Sequence, residues 1–307
     1  MKRRISFIIN RRINGKNKVI KQIKQVFFRD EILILETEYK YHAMVLAEQV
    51  SKESDYIIAV GGDGIVNEVV NGIMQLSSSD IEHLALGIVP SGSGNDFSKS
   101  IGMTKDLLKL RYLMDHKFVK KASVGYLDYL TDYGKISRRY FMNIAEVGIG
   151  GETVYRLEQR RNILGPGMKF VFSALQVFLT YKYPYVQIFS DSVMWRGRIT
   201  LIAFANGRYF GGGLGIAPGA SPFSDSLQLV VVEKVTQADF LKHMSSLRNA
   251  KKIDDPRIKY YDVKKVSIVP LDKNVLYAEA DGEFLGKAPV EVGILPKKIN
   301  LIYNPIS

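Results

Sequence analysis

The chain has 307 residues, of which 46% are apolar, and its formal charge is +12. This length allows two domains with separate cores, and the composition is typical of a soluble globular protein. The absence of cysteine excludes disulfides, thiolate metal sites and thiol catalysis. The few histidines are scattered, so any metal ion is expected to be Mg²⁺ or Ca²⁺ bound by oxygen ligands.

The positive charge is concentrated at the start of the chain. Residues 1–30 hold ten Lys or Arg against one acid, Asp30, which gives +9. This pattern indicates either a solvated helix face or attraction to an anionic membrane, whereas no motif supports nucleic acid. No apolar segment has the length of a bilayer span, and no signal-peptide cleavage site follows the first strand pattern. We expect a cytoplasmic protein, peripheral at the inner face of the membrane; a homodimer is left open.

The first third of the chain alternates strand and helix patterns. Strands are predicted at 5–10, 32–35, 56–60 and 84–89, and helices at 16–28, 41–50, 65–76 and 105–116. Such alternation predicts a doubly wound parallel sheet, whose ligands bind outside the carboxyl ends of the strands. The residues that follow these strands are expected to converge on one edge. They are Asn10, Thr37, Gly61 and Ser91.

The pattern changes near Lys120. Strands are predicted at 124–130, 140–145, 185–189, 199–205, 227–233, 265–269 and 275–280, with helices near 153–161, 166–181 and 237–249. Short turns between most strands predict an antiparallel, β-rich second domain. We expect an α/β domain over residues 1–122 and a β-rich domain over 123–307, with the tail from about residue 293 packing back on the first.

Two glycine-rich loops follow buried strands. Residues 61–68 are Gly-Gly-Asp-Gly-Ile-Val-Asn-Glu, and residues 90–97 are Pro-Ser-Gly-Ser-Gly-Asn-Asp-Phe. Glycines let the backbone approach a ligand, and the amides that open a helix favour an anion. A phosphate is therefore expected, with Asp63 placed to bind its metal ion, although the glycines could instead serve only tight turns. Neither loop matches the Walker or dinucleotide-binding spacing.

Several motifs in the same order resemble the diacylglycerol kinase catalytic-domain family of the NAD kinase and diacylglycerol kinase superfamily. The similarity is greatest to bacterial soluble diacylglycerol kinases and YegS/BmrU-type lipid kinases. The segments that carry the resemblance are Asn10–Gly15, Thr37, Gly61–Glu68, Ser91–Phe97, Asn143–Gly151, Asn206–Ser221 and Asp281–Glu283. The resemblance implies an α/β domain joined to an antiparallel β domain, and an ATP- and Mg²⁺-dependent kinase. The implied acceptor is a hydroxyl of a membrane lipid, such as diacylglycerol or phosphatidylglycerol.

The resemblance also implies roles for individual residues. ATP would be bound by the exits of the first strands and by the two glycine loops. The candidate positions are Asn10, Thr37, Gly61, Gly62, Asp63, Gly64, Asn67, Glu68, Ser93 and Asn95. A structural magnesium site would use Asp225 and the backbone carbonyls around Pro222 and Leu227. Without the resemblance, the sequence around Asp225 predicts an ordinary turn residue at this position.

The segment Asp281-Gly282-Glu283 is either a simple hairpin turn or, as the resemblance implies, the source of the general base. We expect Glu283 to be the base and Asp281 to be its neighbour or a magnesium ligand. Two alternatives stay open. One is an NAD kinase-like phosphotransferase with Asp63 as base, and the other is a non-catalytic protein that binds nucleotide or membrane. Residues 206–213 could be a flexible lid or a strained turn, and residues 170–179 a core helix or an acyl-chain groove.

Overall fold

The computed structural model describes residues 2–159 and 173–305. Contacts divide the chain into two compact units. The first comprises the chain up to Ser123 together with the segment from Pro296 onward, and the second runs from Val124 to Leu295.

The first unit is built on a parallel sheet. Its strands are β1 (Arg4–Ile9), β2 (Glu31–Glu36), β3 (Tyr56–Gly61), β4 (Ala85–Pro90) and the final residues of β14 (Glu283–Ile302). The order across the sheet is β2-β1-β3-β4-β14. Strand β4 is buried at every residue, and β3 at every residue after Tyr56. Both faces of these strands are therefore covered, as their uninterrupted apolar sequences require.

Helices connect these strands. They are α1 (Lys16–Val26), α2 (His42–Val50), α3 (Asp63–Ile73), α4 (Ser78–Ile81), α5 (Asp96–Ser100) and α6 (Leu107–Asp115). In the parallel pairing of β3 with β4, Gly61 lies opposite Pro90. The two glycine loops therefore leave the sheet side by side at its carboxyl edge.

The second unit is an antiparallel β structure. Besides most of β14, its strands are β5 (Val119–Leu130, entering at Val124), β6 (Ile136–Phe141), β7 (Ile144–Gly148), β8 (Tyr185–Ser190), β9 (Met194–Ala205), β10 (Leu227–Glu233), β11 (Ile258–Val263), β12 (Lys265–Pro270) and β13 (Tyr277–Ala280). The helices of this unit include α7 (Ile149–Gln159), α8 (Gln237–Lys242) and α9 (Met244–Arg248).

Strand pairing in the second unit closes on itself. The circuit runs β9-β7-β13-β14-β12-β8 and returns to β9. Closure leaves these strands without an open edge and encloses an apolar core that includes Phe141, Phe204 and Val292. Strands β10 and β11 extend the sheet from β9.

The predicted fold class is confirmed, but several elements differ from the patterns. The strand predicted at 140–145 is interrupted at Met142 and Asn143, where β6 ends before β7 begins. The helix predicted at 237–249 is divided into α8 and α9 at His243. Strand β11 was not predicted, because its residues are mostly half-buried and give no clear alternation.

Some predicted features lie beyond the described ranges. The helix predicted at 166–181 and the apolar segment 170–179 fall partly outside them; residues 173–178 are helical. Val177 and Phe178 belong to a buried apolar cluster, as a core helix requires. Over residues 2–159 and 173–305, no helix combines the length and apolarity needed to cross a membrane.

Candidate functional site

The two glycine loops of the first unit touch through their backbones. A Cβ atom on Gly62 would lie 3.2 Å from the Cα of Gly92, and a Cβ on Gly92 would overlap the backbone of Gly62. The amide of Ser91 also donates to the carbonyl of Gly61 at 2.7 Å. Side chains at Gly62 and Gly92 would therefore separate the loops, so these glycines are required by a close approach.

Asp63 joins the two loops from the other side. Its carboxylate oxygens accept hydrogen bonds from the backbone amides of Asp96 and Phe97, each at 3.1 Å. These amides lie at the start of α5. The side chain of Asp63 therefore caps a helix that begins more than thirty residues later in the chain. We expected Asp63 to bind a metal ion, or to be the base in the NAD kinase-like alternative. The structure shows an anchoring contact of its carboxylate, and the expected role in binding a metal ion or in catalysis stays a prediction.

The second loop closes on itself through Asn95. Its side-chain oxygen accepts from the amide of Gly92 at 2.9 Å, and its side-chain nitrogen donates to the Gly92 carbonyl at 2.8 Å. Asn95 has a left-handed φ of 54°, a conformation that asparagine tolerates well. Ser93 lies exposed at the tip of this closed loop. Asn95 thus shapes the loop, and Ser93 presents a hydroxyl on it.

The start of α3 supplies hydrogen-bond donors beside the loop contact. Gly62 is the N-cap residue, and no side chain caps this helix. Uncapped N-terminal amides and the helix dipole favour an anion at this position. Gly64, in the first turn, is exposed and has open space around it. The first unit therefore places the uncapped start of α3 beside the contact between the two glycine loops, an arrangement that favours an anion.

Two further candidate residues border the same edge of the sheet. The amide of Asn10 donates to Val60, and its side-chain oxygen accepts from the amide of Arg12 at 2.9 Å. Thr37 is buried, and its amide donates to Ile9 at 2.9 Å. The exits of β1, β2 and β3 are therefore tied together, as the strand order predicts.

Asn67 and Glu68 have contacts inside the fold. Asn67 is buried in α3, where the side-chain nitrogen of Asn71 donates to both its carbonyl and its side-chain oxygen. Glu68 accepts from the amide of Ala43 in the first turn of α2 at 3.1 Å. Both residues thus have packing contacts with α2 or within α3, besides any part in nucleotide binding.

In the second unit, the segment Asp281-Gly282 is a tight hairpin turn between β13 and β14. Both residues have left-handed φ angles, 51° and 82°, and Ala280 pairs with Glu283. The carboxylate of Asp281 accepts hydrogen bonds from the backbone amides of Met142, Asn143 and Ile144 at 3.0–3.1 Å. Asp281 therefore fixes the turn against the connection between β6 and β7.

Glu283 has a different environment from Asp281. Its Oε2 atom lies 2.6 Å from Nη2 of Arg139, and the two side chains are 17% and 12% exposed. The ion pair joins the first residue of β14 to β6 and holds the carboxylate close to the surface. Glu283 thus contacts a side chain, and side chains rearrange more readily than a strand connection.

Other polar segments that carry the resemblance lie next to the same turn. The carbonyl of Asn143 accepts from the amides of Asn206 and Gly207, and its side-chain nitrogen donates to the carbonyl of Tyr209 at 2.8 Å. The buried side chain of Asn206 donates to the carbonyl of Met142 at 2.9 Å. The glycines at 211–213 all have left-handed φ angles within a turn closed between Phe210 and Leu214.

A pair of buried glutamates supports the turn from the protein interior. Glu146 on β7 lies opposite Glu279 on β13, and Glu279 accepts from the amide of Gly282 at 2.7 Å. Burial raises the pKa of Glu146 to about 8, and burial together with the charge of Glu146 raises the pKa of Glu279. Two buried carboxylates cannot both ionise cheaply, so the pair retains at least one proton near neutral pH.

The proposed metal ligands lie in the turn before β10. Asp225 is exposed, while Pro222 and Leu227 are buried. Within the described ranges, no cluster of three or more His, Cys, Asp or Glu side chains is placed to bind a metal ion. The donors present are one carboxylate, backbone carbonyls and the hydroxyls of Ser224 and Ser226. This all-oxygen set fits a hard cation such as Mg²⁺, with a single negative charge from the protein.

Sequence reasoning missed Arg139, Glu146 and Glu279. Arg139 is an ordinary basic residue in a strand pattern, and only the register of β6 brings it to Glu283. In the strand pattern Ala278-Glu279-Ala280, Glu279 lies on the opposite face from its small neighbours, so no local signal marks its carboxyl group as buried.

Comparisons with known proteins agree with this architecture. The family model "Diacylglycerol kinase catalytic domain" matches residues 4–127, and "YegS C-terminal NAD kinase beta sandwich-like domain" matches residues 145–303. A diacylglycerol kinase of Bacillus subtilis is 27% identical over 256 residues, which cover 83% of this chain and 80% of the relative. One from Staphylococcus haemolyticus is 28% identical, covering 87% and 78%.

Solved structures share the fold. A diacylglycerol kinase from Bacillus anthracis strain Sterne superposes with a TM-score of 0.70 at 21% identity. The match covers 99% of this chain and 98% of that one.

Gly92→Ala tests the contact between the loops. The added Cβ would overlap Gly62, so we expect a loss of at least ~2 kcal/mol in the free energy of unfolding, measured with urea. Gly64→Ala is the matched control, because a Cβ there meets nothing and α3 gains helix propensity of up to ~1 kcal/mol. Equal stabilities of the two variants would contradict the assigned contact.

The buried glutamate pair predicts a pH dependence of stability. The pKa of Glu146 rises from 4.5 to about 8 on folding, so the folded state binds more protons between these values. Stability should therefore be highest near pH 5 and fall by on the order of a few kcal/mol as pH approaches 8. Glu146→Gln combined with Glu279→Gln should flatten this slope in urea titrations. An unchanged slope would show that other groups cause it.

Proposed function

Since the chain belongs to the diacylglycerol kinase catalytic-domain family of lipid kinases, we propose that it transfers the γ-phosphoryl group of ATP to a hydroxyl of a membrane lipid. Diacylglycerol is the first candidate acceptor, because relatives covering more than four fifths of the chain carry that activity in their names. Phosphatidylglycerol presents a similar hydroxyl at an interface and is the second candidate.

The observation that carries this proposal is the backbone contact between Gly62 and Gly92. It brings the loop that carries the exposed Ser93 up to the uncapped start of α3, with glycines at the two closest points. Phosphoryl transfer depends mainly on positioning and on electrostatic stabilisation of the phosphates. Backbone donors held in place by the loop contacts meet that requirement.

In the proposed mechanism the turn of the second unit supplies the base. A lipid hydroxyl is a weak nucleophile, so a carboxylate that accepts its proton accelerates attack on the γ-phosphorus. We assign this role to Glu283, with Arg139 positioning the carboxylate through their 2.6 Å ion pair. Asp281 fixes the turn by accepting three backbone amides. The proton leaves the lipid oxygen for Glu283 as the oxygen–phosphorus bond forms and ADP departs.

We propose two roles for Mg²⁺, one with ATP and one in the fold. When bound with ATP, Mg²⁺ neutralises charge on the phosphates. A second, structural ion would be held by Asp225 with the carbonyls of Pro222 and Leu227. There it would tie the turn before β10 to the strand.

We also propose peripheral contact with an anionic membrane on the cytoplasmic side. The basic segment at residues 1–30 includes Arg11 and Arg12, which are exposed in the turn after β1. That turn lies at the carboxyl edge of the sheet, where the glycine loops also lie. Basic side chains near a membrane contribute about 1 kcal/mol each to binding an anionic surface.

Glu283→Gln tests the base. We expect kcat for diacylglycerol in mixed micelles to fall ~100-fold or more, because the amide cannot accept the proton. The fold should be retained, since glutamine still accepts a hydrogen bond from Arg139. Glu291→Gln is the matched control, because it removes a carboxylate of the same strand that pairs with Lys265 at 2.9 Å. Wild-type turnover in Glu283→Gln would refute the assignment.

Asp63→Asn separates anchoring from chemistry. Asparagine offers one acceptor where Asp63 has two, so both stability and activity should decline together. An Asp63→Asn protein of native stability without turnover would instead support the NAD kinase-like role of this residue.

Asp225→Asn tests the structural ion. Saturating Mg²⁺ should raise the melting temperature of the wild-type protein by a few degrees and leave the variant unchanged. Asp191→Asn removes another exposed carboxylate from a turn of the second unit and serves as the control. The same Mg²⁺ response in all three proteins would place the ion elsewhere.

A further inference from the structure

The first unit has a groove at the edge of its sheet opposite the glycine loops. Its volume is about 390 Å³. The lining residues come from the α4 region, from β5 and from the end of β14, and are Ser78, Ser79, Ile81, Glu82, Lys121, Pro296, Lys297, Lys298 and Asn300. Asn300 pairs with Ala85, the first residue of β4. The groove therefore lies at the amino ends of the strands, whereas the glycine loops follow the carboxyl ends.

The groove is electropositive. Three lysines, Lys121, Lys297 and Lys298, line it against one carboxylate, Glu82. Asp80, on the same helical turn, accepts from the backbone and hydroxyl of Ser77 in a capping box and lies 3.5 Å from Lys52. The negative charge of Asp80 is therefore partly neutralised by Lys52, which is not one of the lining lysines. Among the described residues that line the groove, basic side chains outnumber acidic ones, which gives the groove a positive potential.

Lys297 is the most constrained of the three lysines. Its ammonium group donates to the carbonyls of Met74 and Leu76, both neutral acceptors. Burial lowers the pKa of Lys297, and the charge of Asp80 opposes this in part. Carbonyl dipoles replace part of the lost hydration of an ammonium ion but do not balance its charge. An anion in the groove would balance it.

We propose that this groove is a second anion site, separate from the proposed nucleotide site, that binds a phosphate group. Lysine ammonium groups act as point charges that suit phosphate, whereas planar carboxylates are better matched by arginine. No arginine lines this groove within residues 2–159 and 173–305. The exposed hydroxyl of Ser78 adds a neutral donor, whereas the Ser79 hydroxyl bonds to that of Ser77 at 2.9 Å. Asn300 lines the groove without serving as a donor to the phosphate, because its side-chain nitrogen already donates to the carbonyls of Glu82 and Leu84.

The phosphate could belong to a free ion or to a lipid headgroup, and two experiments distinguish these sources. In the first, inorganic phosphate is titrated by calorimetry into the full-length protein saturated with a non-hydrolysable ATP analogue. Binding of the analogue is verified beforehand, so a failure of the proposed nucleotide site is detected separately. Lys121→Met combined with Lys298→Met should weaken phosphate binding at least tenfold, and so should Lys297→Met.

The matched control replaces Lys105 and Lys117 with methionine. Both are exposed lysines of the same unit that do not line the groove, so the total charge of the control equals that of the double variant. In the second experiment, all proteins are sedimented with phosphatidylcholine vesicles that contain phosphatidic acid. Loss of vesicle binding in the groove variants, with free phosphate unbound by every protein, would identify a lipid headgroup as the ligand.

Loss of free-phosphate binding in the groove variants alone identifies a site for soluble phosphate. The proposal is overturned if the control and the groove variants behave alike in both experiments. It is also overturned if the wild-type protein, with its nucleotide site filled, binds neither phosphate nor the vesicles. Circular dichroism of each variant excludes unfolding, and Lys121→Met with Lys298→Met leaves the buried contacts of Lys297 intact.

Discussion

The approach of Gly62 to Gly92 is the constraint on which the first unit's proposed phosphate site depends. Backbone contact at that distance excludes side chains, so both loops must carry glycine at these points. The remaining polar residues then maintain the approach: Asp63 binds the amides that open α5, and Asn95 closes the second loop on Gly92. A phosphate site made in this way owes its shape to the backbone and needs few side chains of its own.

The second unit uses the same physical device at a different place. Asp281 binds three successive amides of the β6–β7 connection, much as Asp63 binds two amides of α5. In both cases a carboxylate beside a glycine fastens a sharp turn to a distant segment of chain. Charge-assisted hydrogen bonds to backbone amides are stronger than neutral ones, which suits them to holding loops that would otherwise be mobile. Asp63 and Asp281 therefore stabilise the positions of their loops, in addition to any part in the reaction.

Features that depend on local sequence patterns could be predicted, whereas contacts that depend on strand register could not. The alternation of apolar runs predicted the parallel sheet, and the two glycine loops fell at adjacent strand ends because β3 and β4 are neighbours. The pairing of Arg139 with Glu283 and of Glu146 with Glu279 depends on strand register, which local sequence does not determine. The same limit applies to Asn67 and Glu68, whose motif membership predicted ligand contact while their helix position gave them neighbours inside the fold.

The last long strand has a consequence for the order in which the protein can fold during synthesis. Residues of β14 close the strand circuit of the second unit, and its final residues pair with β4, more than 200 positions earlier in the chain. Neither unit can complete its sheet until the segment that forms β14 has left the ribosome. Until then the outer edge of β4 is open, and it offers unpaired amides and carbonyls to any other strand. Nascent chains truncated before residue 283 should therefore be the form of this protein most dependent on chaperones.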